Sequence, residues 1–268
     1  MLFAVDIGNT NVVAVIFNED KILCQWRIAT DTRRTGDEYS SIILSLARDA
    51  QIDLSCVKRA IISSVVPALI GPFVVVCQHI CKVQPYVISS SLAMSDKLCV
   101  HLKKKSTREL GTDLLCNAVA AWKLSGGKPN IVVDFGTALT LTATSSDGTI
   151  LGGTISPGLG TAIKALATNA AQLPFVPLEA PEKVIGETTR EAIQSGVVFG
   201  YKGLVEYLVL QVKKEVASVS NTSTDEVKVI ATGGLNSVLK PIVDCFSVVD
   251  KDLTVKGLKF ISDMVSGV

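Results

Sequence analysis

At 268 residues, with 26 Lys+Arg against 25 Asp+Glu, the chain lacks the charge excess of a nucleic-acid arm or an electrostatic membrane binder. Hydrophobic residues make up 48%, yet the longest apolar stretch, Val65 to Cys77, is broken by Pro67, Gly71 and Pro72 and is too short to span a bilayer. Asp6 interrupts the apolar N-terminus where a signal peptide would be continuous, and the seven cysteines lack framework spacing, so the expectation is a cytoplasmic protein with reduced thiols, no membrane and no nucleic-acid partner.

Leu2 to Val5 is an apolar run ending at Asp6; after the turn Gly8-Asn9-Thr10-Asn11 a second run, Val12 to Phe17, leads into Asn18-Glu19-Asp20. Strand, tight turn, strand is the reading, and a third strand over Ile22 to Ile28 completes a meander. From Gly36 to Ala50 the period turns helical, with Tyr39, Ile42, Ile43, Leu46 and Ala47 on one face. Ala60 to Val66 reads as a buried strand, Pro67 to Cys81 as a helix, and Pro85 to Ser89 as a short strand. Cys77, His79 and Cys81 resemble metal ligands only superficially: on a helix His79 points away from the other two, so the trio reads as structural. A helix over Gly111 to Ser125 would bridge two halves, with Lys103 to Thr107 as a loop before it.

The second half repeats the plan. Asn130 to Val133 ends at Asp134, the turn Phe135-Gly136-Thr137 follows, and Leu139 to Thr144 and Thr149 to Ser156 close a second meander. Helices are expected over Thr161 to Ala171 and Thr188 to about Val216, a strand over Val227 to Ile230, and a terminal helix over Thr254 to Val265. Such a duplication predicts two α/β domains, residues 1–115 and 116–268, facing each other across a cleft.

A carboxylate at the end of a buried strand, followed at once by a glycine turn with small polar residues, suits phosphate and Mg²⁺. Gly8 lets backbone approach the phosphates, Asn9, Thr10 and Asn11 can donate hydrogen bonds, and Asp6 can orient a hydrated Mg²⁺. Asp134, Gly136 and Thr137 repeat the pattern. A single Asp-x-Gly is an ordinary strand connection, and only two copies in equivalent places point to function. Two further glycine clusters stand at Gly152 to Gly158 and at Thr232-Gly233-Gly234-Leu235. No Walker A lysine motif and no Gly-x-Gly-x-x-Gly is present.

Val5-Asp6-Ile7-Gly8-Asn9-Thr10-Asn11 resembles the opening phosphate motif of the type III pantothenate kinases, within the superfamily of acetate and sugar kinases, heat-shock 70 ATPases and actin. The likeness continues through Thr35-Gly36-Asp37-Glu38-Tyr39, Ile62-Ser63-Ser64-Val65-Val66-Pro67, Leu110-Gly111-Thr112-Asp113, Val133-Asp134-Phe135-Gly136-Thr137-Ala138, Gly153-Thr154-Ile155-Ser156-Pro157-Gly158, Ile185-Gly186-Glu187-Thr188-Thr189 and Ala231-Thr232-Gly233-Gly234. The resemblance implies two duplicated ribonuclease H-like (actin-like ATPase) domains with mixed five-stranded sheets flanked by helices. It also implies ATP-dependent phosphorylation of pantothenate, the first step of coenzyme A biosynthesis, by a homodimer using Mg²⁺ and K⁺ or NH₄⁺.

By the same resemblance Asp113 is the general base, Asp6, Gly8, Asn9, Thr10, Asn11, Gly136 and Thr137 bind the ATP phosphates, and Asp134 holds the monovalent cation. Gly111 and Thr112 would contact pantothenate, and Thr189 would reach it from the neighbouring subunit. The chain departs from the family in Leu114, where relatives carry Arg after the catalytic Asp, and in Lys103 to Arg108, where a Tyr and a Pro are usual. Lys103, Lys104, Lys105 or Arg108 could supply the missing cation for a carboxylate substrate. Two other readings compete: a diverged, non-catalytic nucleotide-binding regulator, and a kinase of the same fold acting on another small alcohol.

Overall fold

A computed structural model describes residues 1–95, 97–102, 110–234, 238 and 241–267. The chain divides into two compact units, Met1–Ala120 with Leu253–Val268, and Ala121–Asp252. The break expected after residue 115 is corrected in two ways. It falls five residues later, inside a continuous helix, and the C-terminal helix belongs to the first unit.

The first unit opens with β1 (Leu2–Ile7), β2 (Asn11–Asn18) and β3 (Lys21–Ala29), followed by α1 (Gly36–Asp49) and β4 (Arg59–Ser64). Next come α2 (Ile70–Val76), the short strands β5 (Tyr86–Val87) and β6 (His101–Leu102), and α3 (Thr112–Leu124), which runs on into the second unit. The sheet order is β3-β2-β1-β4-β5, with β1, β2 and β3 antiparallel and β4 and β5 parallel to β1. Period-2 alternation sends Phe3, Val5 and Ile7 into a core shared with Tyr39, Ile43 and Phe73 of α1 and α2. Fully burying side chains of this size contributes about 1.5–3 kcal/mol each. Leu2, Ala4 and Asp6 therefore lie on the other face of β1.

The helix expected over Pro67 to Cys81 is not uniform: a 3₁₀ turn over Pro67–Leu69 precedes α2, and a π-turn over Cys77–Cys81 follows, closed by Lys82 at φ 58°. Cys77 and Cys81 are buried, and burial pushes both thiols up, while exposed His79 sits 3.4 Å from Asp37. The trio is thus split between core and surface.

The second unit contains β7 (Asn130–Phe135), β8 (Ala138–Thr144), β9 (Thr149–Pro157), α4 (Leu159–Asn169), α5 (Thr189–Ser220), β10 (Lys228–Thr232) and β11 (Val248–Val249). The sheet has six strands where five were expected, and within it these five lie in the order β9-β8-β7-β10-β11, with β7, β8 and β9 antiparallel and β10 and β11 parallel to β7. Order and direction of these five strands match the first unit, the duplicated actin-like architecture. Ile131, Val133 and Phe135 enter a core with Val197, Val198, Val205, Val209 and Val216 of α5.

The helix α6 (Leu253–Ser266) returns to the first unit because its inner face fits there. Gly257 crosses α3 so closely that a Cβ would collide with the backbone of Cys116. Thr254 donates to buried Asn117 Oδ1 at 2.8 Å, and Asp263 pairs with Arg59 at 3.0 Å. No described helix is long and apolar enough to cross a membrane.

Candidate active site

In the first unit Asp6 ends β1 half-buried, paired in register with Val13 on one side and Ser63 on the other. The chain then turns through Gly8, whose N–H donates to Asn11 O at 3.0 Å, leaving Asn9 and Thr10 exposed at the tip. Thr30, just past β3, holds this turn from beneath: its N–H donates to Thr10 O at 3.0 Å and its hydroxyl to Gly8 O at 2.7 Å. With the carbonyls committed inward, the turn is stiffened in a form that can present backbone N–H groups to an anion.

Asp113 occupies the first turn of α3. Its Oδ1 accepts from its neighbour Leu114 N–H at 2.8 Å and lies over Gly111, where a Cβ would strike it. Burial raises the Asp113 carboxyl above the ordinary 3.8, outweighing the lowering effect of the helix amides. Cys116, one turn along α3 and fully buried, has its thiol pushed well up by burial and then by the charges of Asp6 and Asp113. Asp6 and Asp113, far apart in sequence, are linked through Ser63, the register partner of Asp6, which bonds the hydroxyl of Thr112 at 2.9 Å.

The second unit repeats the turn. Asp134 ends β7 in register with Thr140 and Thr232, Gly136 N–H donates to Ala138 O at 3.0 Å, and Gly136 and Thr137 are exposed. Here Thr137 O accepts both Gly158 N–H at 2.9 Å and the Thr161 hydroxyl at 2.7 Å. A residue just past the third strand of the meander therefore ties down the turn in both units. Gly158 must be glycine, since a Cβ would meet the Gly136 and Thr137 carbonyls; Gly233, at φ 94°, lies against the Phe135 backbone and brings Thr232 beside Asp134.

Two other strings quoted above prove to be helix starts. Thr35 and Glu38 form a capping box at α1, and Thr188 and Glu191 form the same box at α5. Thr189, the first residue of α5, is exposed on the rim of an apolar groove of about 520 Å³ lined by Leu166, Leu173, Ile193, Val197 and Tyr201. Thr112 is placed differently from a ligand-facing residue: it is buried, and its hydroxyl is engaged by Ser63 and Ser64. Lys103, Lys104, Lys105 and Arg108 lie outside the described residues, as does Leu235.

Sequence reasoning passed over Ser63, Thr30, Thr161 and Cys116. Ser63 was detectable as a polar residue inside the apolar run of β4, and Cys116 by its i, i+3 spacing from Asp113, which puts both on one helix face.

Among proteins of known family, a model of type III pantothenate kinase matches residues 2–211. The chain belongs to the type III pantothenate kinases. It is 38% identical over 261 residues to the type III pantothenate kinase of Moorella thermoacetica, covering 97% of this chain and 98% of that one. To that of Finegoldia magna it is 36% identical over 264 residues, covering 98% and 97%. A solved structure described as a Baf family transcriptional activator from Campylobacter jejuni superposes with a TM-score of 0.59 at 19% identity, over 99% of this chain and 100% of that one. That likeness bears on the fold alone. A type III pantothenate kinase is an enzyme, and the paired Asp-x-Gly turns are the part of this chain suited to phosphate chemistry.

Proposed function

We propose that this enzyme transfers the γ-phosphoryl group of ATP to the primary hydroxyl of pantothenate, opening coenzyme A biosynthesis, with Asp113 as general base. The observation carrying this reading is that Ser63, the register partner of Asp6, bonds the hydroxyl of Thr112 at 2.9 Å, which brings the end of β1 close to the α3 turn that carries Asp113. An alcohol is a poor nucleophile at neutral pH, so a carboxylate that accepts its proton as transfer proceeds is useful. Partial burial makes Asp113 a stronger base than a solvated carboxylate. The α3 N-terminus and Leu114 N–H hold the carboxylate in place.

Asp6, Gly8, Asn9, Thr10, Asn11, Gly136 and Thr137 are assigned to the phosphates. Among the described residues no cluster of three His, Cys, Asp or Glu side chains could hold a metal. The donor set suits Mg²⁺ held by Asp6 through water and by the phosphates rather than by a protein cage; when bound it would neutralise phosphate charge. Asp134, flanked in register by Thr140 and Thr232, offers the oxygen ligands that suit K⁺ or NH₄⁺.

Gly111 and the Thr112 main chain are assigned to pantothenate, and Thr189 to the substrate of a neighbouring subunit in a homodimer. Supporting the homodimer, the second unit exposes the large apolar side chains Ile155 (76%), Phe175 (64%), Ile185 (83%) and Tyr207 (63%).

The deciding assay is ADP release from MgATP with and without pantothenate, in K⁺ and in Na⁺, with Asp113→Asn as control. Pantothenate-dependent turnover that the control abolishes is expected. ATP binding without such turnover in either salt would overturn the reading, leaving a regulator or a kinase of another alcohol.

A further inference from the structure

We propose that the buried hydroxyls of Ser63 and Thr112 form a clamp that positions Asp113 for catalysis. The proposal rests on reading Asp113 as the base.

Ser63 is wholly buried on β4 among Ile61, Ile62 and other core residues. A buried hydroxyl without a partner is destabilising, and an aliphatic residue would gain from burial at this position. Fold stability alone therefore favours Val or Ile here. Ser63 instead shares a 2.9 Å hydrogen bond with Thr112 Oγ1.

Thr112 begins α3, and its hydroxyl is saturated. It accepts Ser64 N–H at 3.1 Å, lies 3.2 Å from Ser64 O, to which it can donate, and meets Ser63 at the third position. This side chain has no capacity left for a ligand. What it does is fasten the first turn of α3 to the end of β4.

Both ends of the fastening bear on the reaction. Ser63 is the register partner of Asp6 on β1, and Thr112 immediately precedes Asp113. Thr112 is bonded by two successive residues of β4, Ser63 and Ser64, so the end of the strand grips the first turn of α3. Rotation of α3 about its axis would swing Asp113 relative to Asp6, and the bonds of Thr112 to Ser63 and Ser64 oppose that rotation. Ser63 and Thr112 are thus positioning residues, acting on the reaction through Asp113.

Steady-state kinetics of the full chain with MgATP and pantothenate, together with Tm, test this on Thr112→Val, Thr112→Ser, Ser63→Ala and Asp113→Asn. Thr112→Val keeps the shape and removes the hydroxyl; kcat should fall about 10–100-fold, the loss typical of misplacing a reacting group by about 1 Å, while the KM for ATP stays within about threefold. Thr112→Ser, which keeps the hydroxyl, should remain within about threefold of wild type in kcat. Ser63→Ala leaves Thr112 its bonds to Ser64 and should lose about tenfold, and it provides the readout if Thr112→Val does not fold.

Wild-type kcat in Thr112→Val and Ser63→Ala, measured well below their Tm and with Asp113→Asn inactive, would make the bridge merely structural and overturn the proposal alone. Equal losses in Thr112→Ser and Thr112→Val would also overturn it. Wild-type kcat in Asp113→Asn would remove the base assignment, and the clamp's catalytic role with it.

Discussion

The carboxylate of Asp113 lies over the Cα of Gly111, with Oδ1 in the space a Cβ would take. The obstructing atom is a movable side chain, so Gly111→Ala should fold and displace the carboxylate. We expect kcat to fall about 10–100-fold with little change in Tm. Unchanged steady-state kcat would mean that the carboxylate orientation over Gly111 is unimportant.

Asp113→Asn should lower kcat by about 10²–10⁴-fold, the usual contribution of a positioned base. The same change should raise Tm at neutral pH. Because burial raises the folded-state pKa, any stability associated with Asp113 is fully present below the unfolded pKa and is lost as pH rises through the folded value. Asparagine avoids that loss. A kcat profile recorded against pH should show an acid limb above the ordinary 3.8 of a carboxyl, absent from the residual activity of the variant.

Thr30→Val and Thr161→Val each remove a hydroxyl that fixes a carbonyl of an Asp-x-Gly turn, the turns assigned above by proposal to the phosphates. Each should raise the KM for ATP about 3–10-fold while leaving the unfolding free energy within about 1.5 kcal/mol of wild type, the net value of one hydrogen bond. Titration with ATP, followed by its effect on Tm, separates this from a general loss of stability. A KM for ATP that does not move in either variant would refute the tie.

Glu38 accepts Thr35 N–H at 2.7 Å, and this bond, with the Thr35 hydroxyl, holds its carboxyl below the ordinary 4.5. The folded pKa is depressed, so the stability it brings is present above the unfolded pKa and is lost as pH falls through the folded value. Glu38→Ala should therefore lower Tm at pH 7, and the two melting curves should converge as the pH falls from the ordinary 4.5 through the depressed folded-state value. A gap that persists in acid would place the loss in packing rather than in the cap.

Much of each domain could be read locally. Runs of Val, Ile and Ala ending at Asp6 and Asp134 mark β1 and β7, since the strand period is two and the glycine turns that follow admit few alternatives. Helix starts were legible in principle from Thr-x-x-Glu at residues 35 to 38 and 188 to 191, a signature contained within four residues. The π-turn at Cys77–Cys81 was not, because an ordinary helix and a π-turn of the same residues share their apolar spacing.

The sequence by itself determined the duplicated meander, the two Asp-x-Gly turns and, through motifs spread along its length, the family. Tertiary structure decided which side chains meet. Thr112 closes on Ser63 across 49 residues, Thr254 on Asn117 across 137, and α6 returns to the first unit because a glycine at 257 permits its approach to α3. Nothing local encodes those pairings: two hydroxyls and a glycine carry no periodicity, and their partners are chosen by the register of β1 with β4 and by the packing of helices upon it.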